Sequence, residues 1–238
     1  MEDFEVLSCG MRILQSDELF RLGTDSILLS NFASPLRSRK IADLGAGGSA
    51  LGVLLCAANE QCDVTGIELQ EKACEISGKN IEINALQDRL HIMQGDLREI
   101  RTLLPANSFD CVISNPPYFP MGSGAQAADP AFAIARTECC CTLDDLCSAA
   151  AWLLRYGGSF YLVHRPERLA ELIYSLKTHR LEPKRLRFVR HHPDAPVSLV
   201  LLECRLGGKN GLQIENDLLL FTENGEQTRE YREIYHMP

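Results

Sequence analysis

The sequence predicts an α/β fold, a mainly parallel sheet covered by helices with an antiparallel hairpin at one edge. Three observations carry this reading. Short apolar runs alternate with amphipathic stretches from Lys40 to Thr178. A cluster of glycines follows the first of those runs directly. Towards the end, two strand-like runs succeed one another with no helix-length segment between them. Strands alternating with helices imply right-handed crossovers and parallel neighbours. A short connection without a helix leaves only antiparallel pairing.

Taken in order, residues 1–36 form an N-terminal appendage, predicted as a short hairpin and a helix starting near Thr24. The core spans 37–206. Its first strand is Lys40 to Leu44, followed by a helix over Leu51 to Ala58. Asp63 to Glu68 is the second strand. The next helix runs from Gln70 to Asn84, with Ala73, Ile76, Asn80 and Ile83 on one face. Arg89 to Gly95 and Phe109 to Ser114 are the third and fourth strands. A Gly/Ala/Pro-rich loop, Pro120 to Pro130, separates them from a helix over Leu143 to Leu154. Ser159 to Val163 is a fifth strand and Pro166 to Thr178 a further helix. Arg185 to Arg190 and Val197 to Glu203 pair across Pro193 to Pro196 as the edge hairpin. The C-terminal extension, 207–238, holds a strand at Leu218 to Phe221, a turn at Asn224-Gly225 and a polar-aromatic end.

Composition narrows the class. The 238 residues, 45% hydrophobic and 24% charged, suffice for one core without disulfides or structural metal. The longest uncharged apolar stretch, Leu44 to Asn59, is interrupted by four glycines, so no membrane span is expected. Met1-Glu2-Asp3 is acidic where a secretory leader would be basic. The ten cysteines show no zinc-ligand spacing, and reduced thiols in a cytoplasmic setting are expected, with no metal. Net charge is −8, but nine Lys/Arg against three Glu between Arg155 and His192 make a local +6 on an acidic body. Such asymmetry fits a face for a polyanion, or equally a solvated basic helix and strand.

The chemistry-bearing residues sit at strand ends. Asp43-Leu44-Gly45-Ala46-Gly47-Gly48-Ser49-Ala50 lies where a first strand turns into a first helix. Glycines let backbone approach a ligand there, beside unpaired helix amides. Glu68, ending the second strand, is placed to bind a ribose. The loop also satisfies a dinucleotide fingerprint, Gly45-x-Gly47-x-x-Ala50. Asp43 tips the balance, since it would repel a pyrophosphate but suits an amino group and a cationic sulfonium. Asp96, just after the third strand, is placed to accept from an adenine amine. The set favours S-adenosylmethionine over a nicotinamide dinucleotide.

Asn115-Pro116-Pro117-Tyr118 follows the fourth strand. Proline fixes its own backbone and forces the preceding residue into extended geometry, so Asn115 is held rigidly at a strand end. A planar amine is a poor nucleophile because its lone pair is delocalised. Acceptors on its two hydrogens, the Asn115 side-chain oxygen and the Pro116 carbonyl, draw the nitrogen towards sp³ character. Tyr118 is placed to stack on the planar group.

These motifs resemble class I S-adenosylmethionine-dependent methyltransferases acting on planar nitrogens. Four further segments are similar to the bacterial valine-tRNA adenine-N(6) methyltransferases. They are Leu22-Gly23-Thr24-Asp25, Ala135-Arg136-x-Glu138, Val163-His164-Arg165-Pro166-Glu167-Arg168-Leu169 and Glu182-Pro183-Lys184-Arg185. The resemblance implies a Rossmann-like fold with a seven-stranded sheet, and a tRNA substrate modified next to the anticodon. It implies cofactor contacts from Asp43, Gly45, Gly47, Glu68 with Leu69, Asp96 with Leu97, Asn115, and the upstream Gly23, Thr24 and Asp25. Its catalytic residues are Asn115, Pro116, Pro117 and Tyr118. Two departures stand out: Gly48-Ser49 inverts the family's Ser-Gly, and Thr137 replaces a common histidine.

Relatives sharing the Asn-Pro-Pro-Tyr chemistry fit less well. Release-factor glutamine enzymes carry a helical domain before the glycine loop, for which about forty residues are too few. Guanine-N(2) ribosomal RNA enzymes prefer Phe at Tyr118, and DNA adenine enzymes include a recognition domain. A non-catalytic binding module has no use for an aimed carboxamide. Lys184, Arg185, Arg187 and Arg190 are the expected phosphate contacts, with alternation placing Arg185 and Arg187 on one face. The loop Met121 to Pro130 is expected to order over a bound nucleotide. Oligomeric state is left as monomer or weak dimer.

Overall fold

A computed structural model describes residues 2–7, 9–16, 23–34, 39–116 and 141–235. Seven long strands build one sheet: β3 (Lys40–Leu44), β4 (Asp63–Glu68), β5 (Leu90–Gln94), β6 (Phe109–Ser114), β7 (Leu154–His164), β8 (Leu181–Arg190) and β9 (Val197–Leu206). Their order is β5-β4-β3-β6-β7-β9-β8. All pairs are parallel except those of β9, which runs antiparallel between β7 and β8. The hairpin forms as expected, but its outer strand is not the sheet's rim. Two short strands, β10 (Gln213–Ile214) and β11 (Leu218–Leu219), add in parallel to β8 and bring the sheet to nine. β11 begins where a strand is expected over Leu218 to Phe221, whereas β10, two residues of ladder, is too weak a pattern to read from sequence.

Period-2 alternation sorts the strand residues between two faces. Ile41, Cys111, Ile113, Tyr161, Val163 and Leu201 pack with helices α1 (Thr24–Ala33), α2 (Ala50–Ala58) and α3 (Glu71–Ile83). Ala42, Val112, Phe160, Leu162 and Leu202 pack with α4 (Ile100–Leu103), α5 (Leu143–Leu153) and α6 (Leu169–Thr178). The result is a sheet between two helical layers.

Several elements differ from expectation, and the edge hairpin is longer than predicted, β8 starting at Leu181 and β9 running on to Leu206. The strand predicted from Ser159 begins at Leu154, straight out of α5, whose start is fixed by a Thr142–Asp145 capping box. Gly158 permits that early segment: a Cβ there would lie 3.0 Å from the Asp110 carbonyl and 2.9 Å from that of Arg155. Pro166–Arg168 forms a 3₁₀ turn rather than the first turn of α6. Ile83, placed on the inner face of α3, is 38% exposed, and Ile81 is buried instead.

The N-terminal hairpin, β1 (Glu2–Val6) with β2 (Arg12–Ser16), is fastened to α3 by two asparagines one turn apart. Asn84 Oδ1 accepts from the Arg12 amide (2.8 Å) and its Nδ2 donates to the Arg12 carbonyl (2.7 Å). Asn80 accepts from the Leu14 amide (2.7 Å) and donates to the carbonyls of Leu14 (3.4 Å) and Gly48 (2.8 Å). The two carboxamides thus take the place of a neighbouring strand. At the other end, Leu218, Leu220 and Ile234 of the C-terminal segment enter the α1–α3 face of the core.

Candidate active site at the carboxyl edge of the sheet

Register gathers the strand-end residues. Asp43 lies opposite Gly66 on β4 and Ile113 on β6, so Glu68 and Asn115 each project two residues past it. Glu68 pairs with Gln94, which puts Asp96 two residues beyond on β5. Asp43, Glu68, Asp96 and Asn115 therefore share the carboxyl edge, where open α/β sheets bind ligands. Ser114 ties two of these ends together, its hydroxyl donating to the Leu44 carbonyl at 2.7 Å.

The glycine loop is held from below. Gly45 and Gly47 adopt φ of +75° and +53°, a conformation costly for a side-chain-bearing residue. Glu68 braces the loop, accepting from the Gly47 amide (2.8 Å) and the Gln70 amide (2.9 Å). Ser49, at the position where the resemblance expects glycine, also takes a left-handed φ of +60°. It is fully buried, and its hydroxyl is hydrogen-bonded to that of Ser77 on α3.

Asp43 is the most unusual group here. It is 1% exposed, and among the described residues neither carboxylate oxygen has a hydrogen-bond partner. Burial, reinforced by the charge of Glu68, pushes its pKa up to about 7. A buried carboxylate without a donor is costly unless a cation or donor completes it. S-adenosylmethionine, with an ammonium and a sulfonium, meets that requirement, and a pyrophosphate does not. The residues present fit this cofactor.

Asp96 differs. Its carboxylate accepts from the Arg98 amide (2.9 Å) and is clasped by the Arg98 guanidinium, which holds its pKa below the usual range. Leu69 is 39% exposed beside Glu68, and Leu97 packs on the α5 face of the core. Gly23 precedes α1 in extended backbone, and Thr24 and Asp25 open the helix. Tyr235, at the end of α7 (Arg229–Ile234), lies beside Thr24, whose side chain works against the burial that pushes the Tyr235 phenol up to about 12. Asn115 is half-buried, and its Nδ2 donates to the Ser26 hydroxyl of α1 at 2.9 Å. Pro116 is buried behind it. Pro117, Tyr118, the 121–130 loop, Arg136, Thr137 and Glu138 lie outside the described residues.

The basic residues of β8, the expected phosphate contacts, each have a partner within the chain. Arg185 bonds Glu203 (2.9 Å) and Glu215 (2.7 Å) and stacks over Phe32 at 4.4 Å. Arg187 pairs with Glu230 (2.7 Å), and Arg190 with Asp217 (2.6 Å). Lys184 donates to the Lys209 carbonyl at 2.9 Å. A register shift between Val189 and Arg190 interrupts the alternation, so Arg190 turns to the same C-terminal segment as Arg185 and Arg187. Segment 207–235 thus supplies a carboxylate to each of Arg185, Arg187 and Arg190.

Sequence reasoning missed Ser26, Asn80 as a loop anchor, and Tyr235. Asn80 gave the one usable signal, a polar residue on an otherwise apolar helical face. Among the described residues no group of His, Cys, Asp and Glu could hold a metal ion, and no helix is long and apolar enough to cross a membrane.

The comparisons with known proteins agree with this geometry. The model of the methyltransferase small domain matches residues 22–179. The tRNA1(Val) (adenine(37)-N6)-methyltransferase of Porphyromonas gingivalis is 30% identical over 209 residues, covering 85% of this chain and 78% of the relative. The protein of the same description from Photobacterium profundum is 28% identical over 197 residues, covering 82% and 78%. A predicted O-methyltransferase from Agrobacterium tumefaciens superposes with a TM-score of 0.74 at 22% identity, covering 90% of this chain and 96% of its own, which speaks for the fold. The glycine loop, the buried acid behind it and the asparagine corner therefore belong to an S-adenosylmethionine-dependent methyltransferase, a member of the methyltransferase small domain family alongside the tRNA1(Val) adenine-N6 enzymes.

Proposed function

We propose that the protein methylates the exocyclic N6 amine of an adenine in tRNA, next to the anticodon, in the cytoplasm. The observation that carries this is Asn115, held by the Ser26 bond at the end of β6, level with the glycine loop of β3. The bound cofactor supplies a methyl group on a cationic sulfur. Asp43 holds its cationic end, the Gly45–Gly47 backbone approaches it, and Glu68 supports the loop. The Asn115 Oδ1 and the Pro116 carbonyl accept the two amine hydrogens and aim the nitrogen lone pair. No strong base is required, because the proton can leave to solvent after methyl transfer. The named activity of the Porphyromonas and Photobacterium relatives supports adenine in tRNA as the substrate class.

Nucleoside mass spectrometry of tRNA from cells with and without the gene tests this. Loss of one N(6)-methyladenosine on deletion, restored by the purified protein with S-adenosylmethionine, is expected. Unchanged tRNA with a new deficit in another nucleic acid or protein would overturn the substrate.

A further inference from the structure

We infer that the amino edge of the sheet, opposite the candidate active site, carries a second RNA-binding surface. It is centred on Tyr156 and the cations around it, and it holds the body of the substrate beyond the anticodon loop. The inference rests on the proposed tRNA reading only for which RNA is held.

The starts of β7 and β8 and the end of β9 meet at this edge, with Leu181 paired to Leu206. Here the register of β7 against β6 shifts, Leu154 facing Phe109 and Ser159 facing Cys111. Asp110 is therefore opposed by four residues, Arg155 to Gly158, and a bulge re-aims side chains out of the ladder. Tyr156 is 76% exposed, yet it is pinned. Its ring lies against Gly207, where a Cβ would come within 2.3 Å of it, and its hydroxyl donates to the Gly207 carbonyl at 3.2 Å.

Exposure separates the cations here from those of β8. In the Arg155–Asp110 pair (2.9 Å) the side chains are 63% and 18% exposed, and in Arg205–Glu203 (3.3 Å) 47% and 6%. In Lys177–Glu182 they are 47% and 13% exposed. Each of these pairs keeps its acid inside and its cation outside. Arg187 and Glu230 on β8 are the reverse, at 15% and 47%. Arg205 also donates to the Gly157 carbonyl, next to Tyr156, at 3.2 Å. Arg180 and Lys209 are exposed as well, and the Arg180 carbonyl accepts from the Gly207 amide at 2.9 Å. His179 bounds the patch, since its partner Asp144 is the outer member of that pair.

A guanidinium has five donors, so one bond to an enclosed acid leaves others for a phosphate. Exposed cations beside a fixed aromatic ring supply phosphate neutralisation and a stacking surface for an unpaired base, which is how RNA is held without regard to sequence. Asn115 stands six residues along β6 from Phe109, about 20 Å at roughly 3.3 Å per residue. That separation is short against the length of a folded tRNA.

The test compares the wild-type protein with Tyr156→Ala and with a triple variant, Arg155→Gln, Arg180→Asn and Lys209→Gln. Asparagine is chosen because residue 180 has a φ of +61°. Fluorescence anisotropy at several salt concentrations reads affinity for full-length tRNA and for an isolated anticodon arm. Each variant is expected to bind full-length tRNA about tenfold more weakly. The triple variant should also lower the slope of log affinity against log salt by roughly 2–3. Affinity for the anticodon arm and for S-adenosylmethionine should stay unchanged, the latter also reporting that the variants are folded. Ultraviolet cross-linking of the wild-type protein to the same tRNA should place an adduct on the peptide carrying Tyr156, a readout that needs no variant. Wild-type affinity and salt slope in both variants would overturn the inference and leave the proposed reaction standing. Equal losses for the arm and for full-length tRNA would overturn it too, because they would put these cations at the anticodon. If the wild-type protein methylates no tRNA, the proposed function fails, and the same comparison with total cellular RNA decides the patch alone.

Discussion

The carboxyl edge of the sheet and its β8 flank handle buried charge in opposite ways. At the edge, Asp43 is enclosed with neither oxygen hydrogen-bonded among the described residues. Along β8, three arginines each meet a carboxylate from β9 or from the C-terminal segment. Folding does not leave a carboxylate unpaired for its own benefit, since that costs stability. The uncompensated group marks the ligand, and the compensated groups mark where the chain holds itself together. A count of charges along the sequence gives the reverse impression, because it weighs β8 heavily and Asp43 not at all.

Breaking each region should give distinct signatures. The largest effect is expected from Asn115→Ala, with turnover reduced roughly 10²–10³-fold, as for loss of one aimed polar contact. Cofactor affinity should be little changed, and single-turnover rates with saturating S-adenosylmethionine read the difference. On the β8 side, Arg185→Ala takes from Glu203, 5% exposed, the nearer of its two guanidinium partners and leaves Arg205 at 3.3 Å. A loss of about 2 kcal/mol in urea unfolding is expected. Arg187→Ala, whose partner Glu230 is half-exposed, should cost only about 1 kcal/mol. If both variants kept full stability and lost only tRNA affinity, β8 would be a phosphate face after all.

Asp43→Asn comes next, with S-adenosylmethionine binding weakened roughly 10–100-fold, the range for a charged hydrogen bond. Because the folded pKa of Asp43 is raised from 3.8 to about 7, two pH trends follow. In the cofactor-free protein the folded state retains a proton that the unfolded chain has released. The contribution of Asp43 to stability is therefore greatest below about pH 4 and is lost as pH rises towards 7. Cofactor affinity runs the other way, strengthening as the carboxylate ionises through about pH 7. Asp43→Asn should flatten both trends, and calorimetry between about pH 5.5 and about pH 8.5 would show it. The smallest effect is expected from Tyr235→Phe, which removes the phenol hydroxyl beside Thr24. S-adenosylmethionine affinity should weaken about threefold with kcat preserved.

Much of this arrangement is legible in the residues alone. Lys40–Leu44, Asp63–Glu68 and Phe109–Ser114 run between the predicted limits. Each is an apolar run buried on both faces and ended by glycine, acid or proline, so local composition and burial demand the same thing. The glycine loop and the Asn115–Pro116 corner are local too, since backbone permissiveness and proline restraint act within a few residues. The partners of β8 were illegible. Arg185 finds Glu215, 30 residues away, only because β10 adds beside it, and no periodicity announces a two-residue strand.

The alternation of strands and helices, the glycine loop and the rigid asparagine were thus determined by the sequence itself, through side-chain periodicity and backbone stereochemistry, which are short-range. Only the tertiary structure decided that Asp43 is enclosed without a donor, that Asn80 ties the hairpin to the glycine loop, and that Ser26 meets Asn115. Those facts depend on which distant groups share a low-dielectric interior. Desolvation and hydrogen-bond geometry are properties of three-dimensional neighbours, and sequence order does not encode them locally.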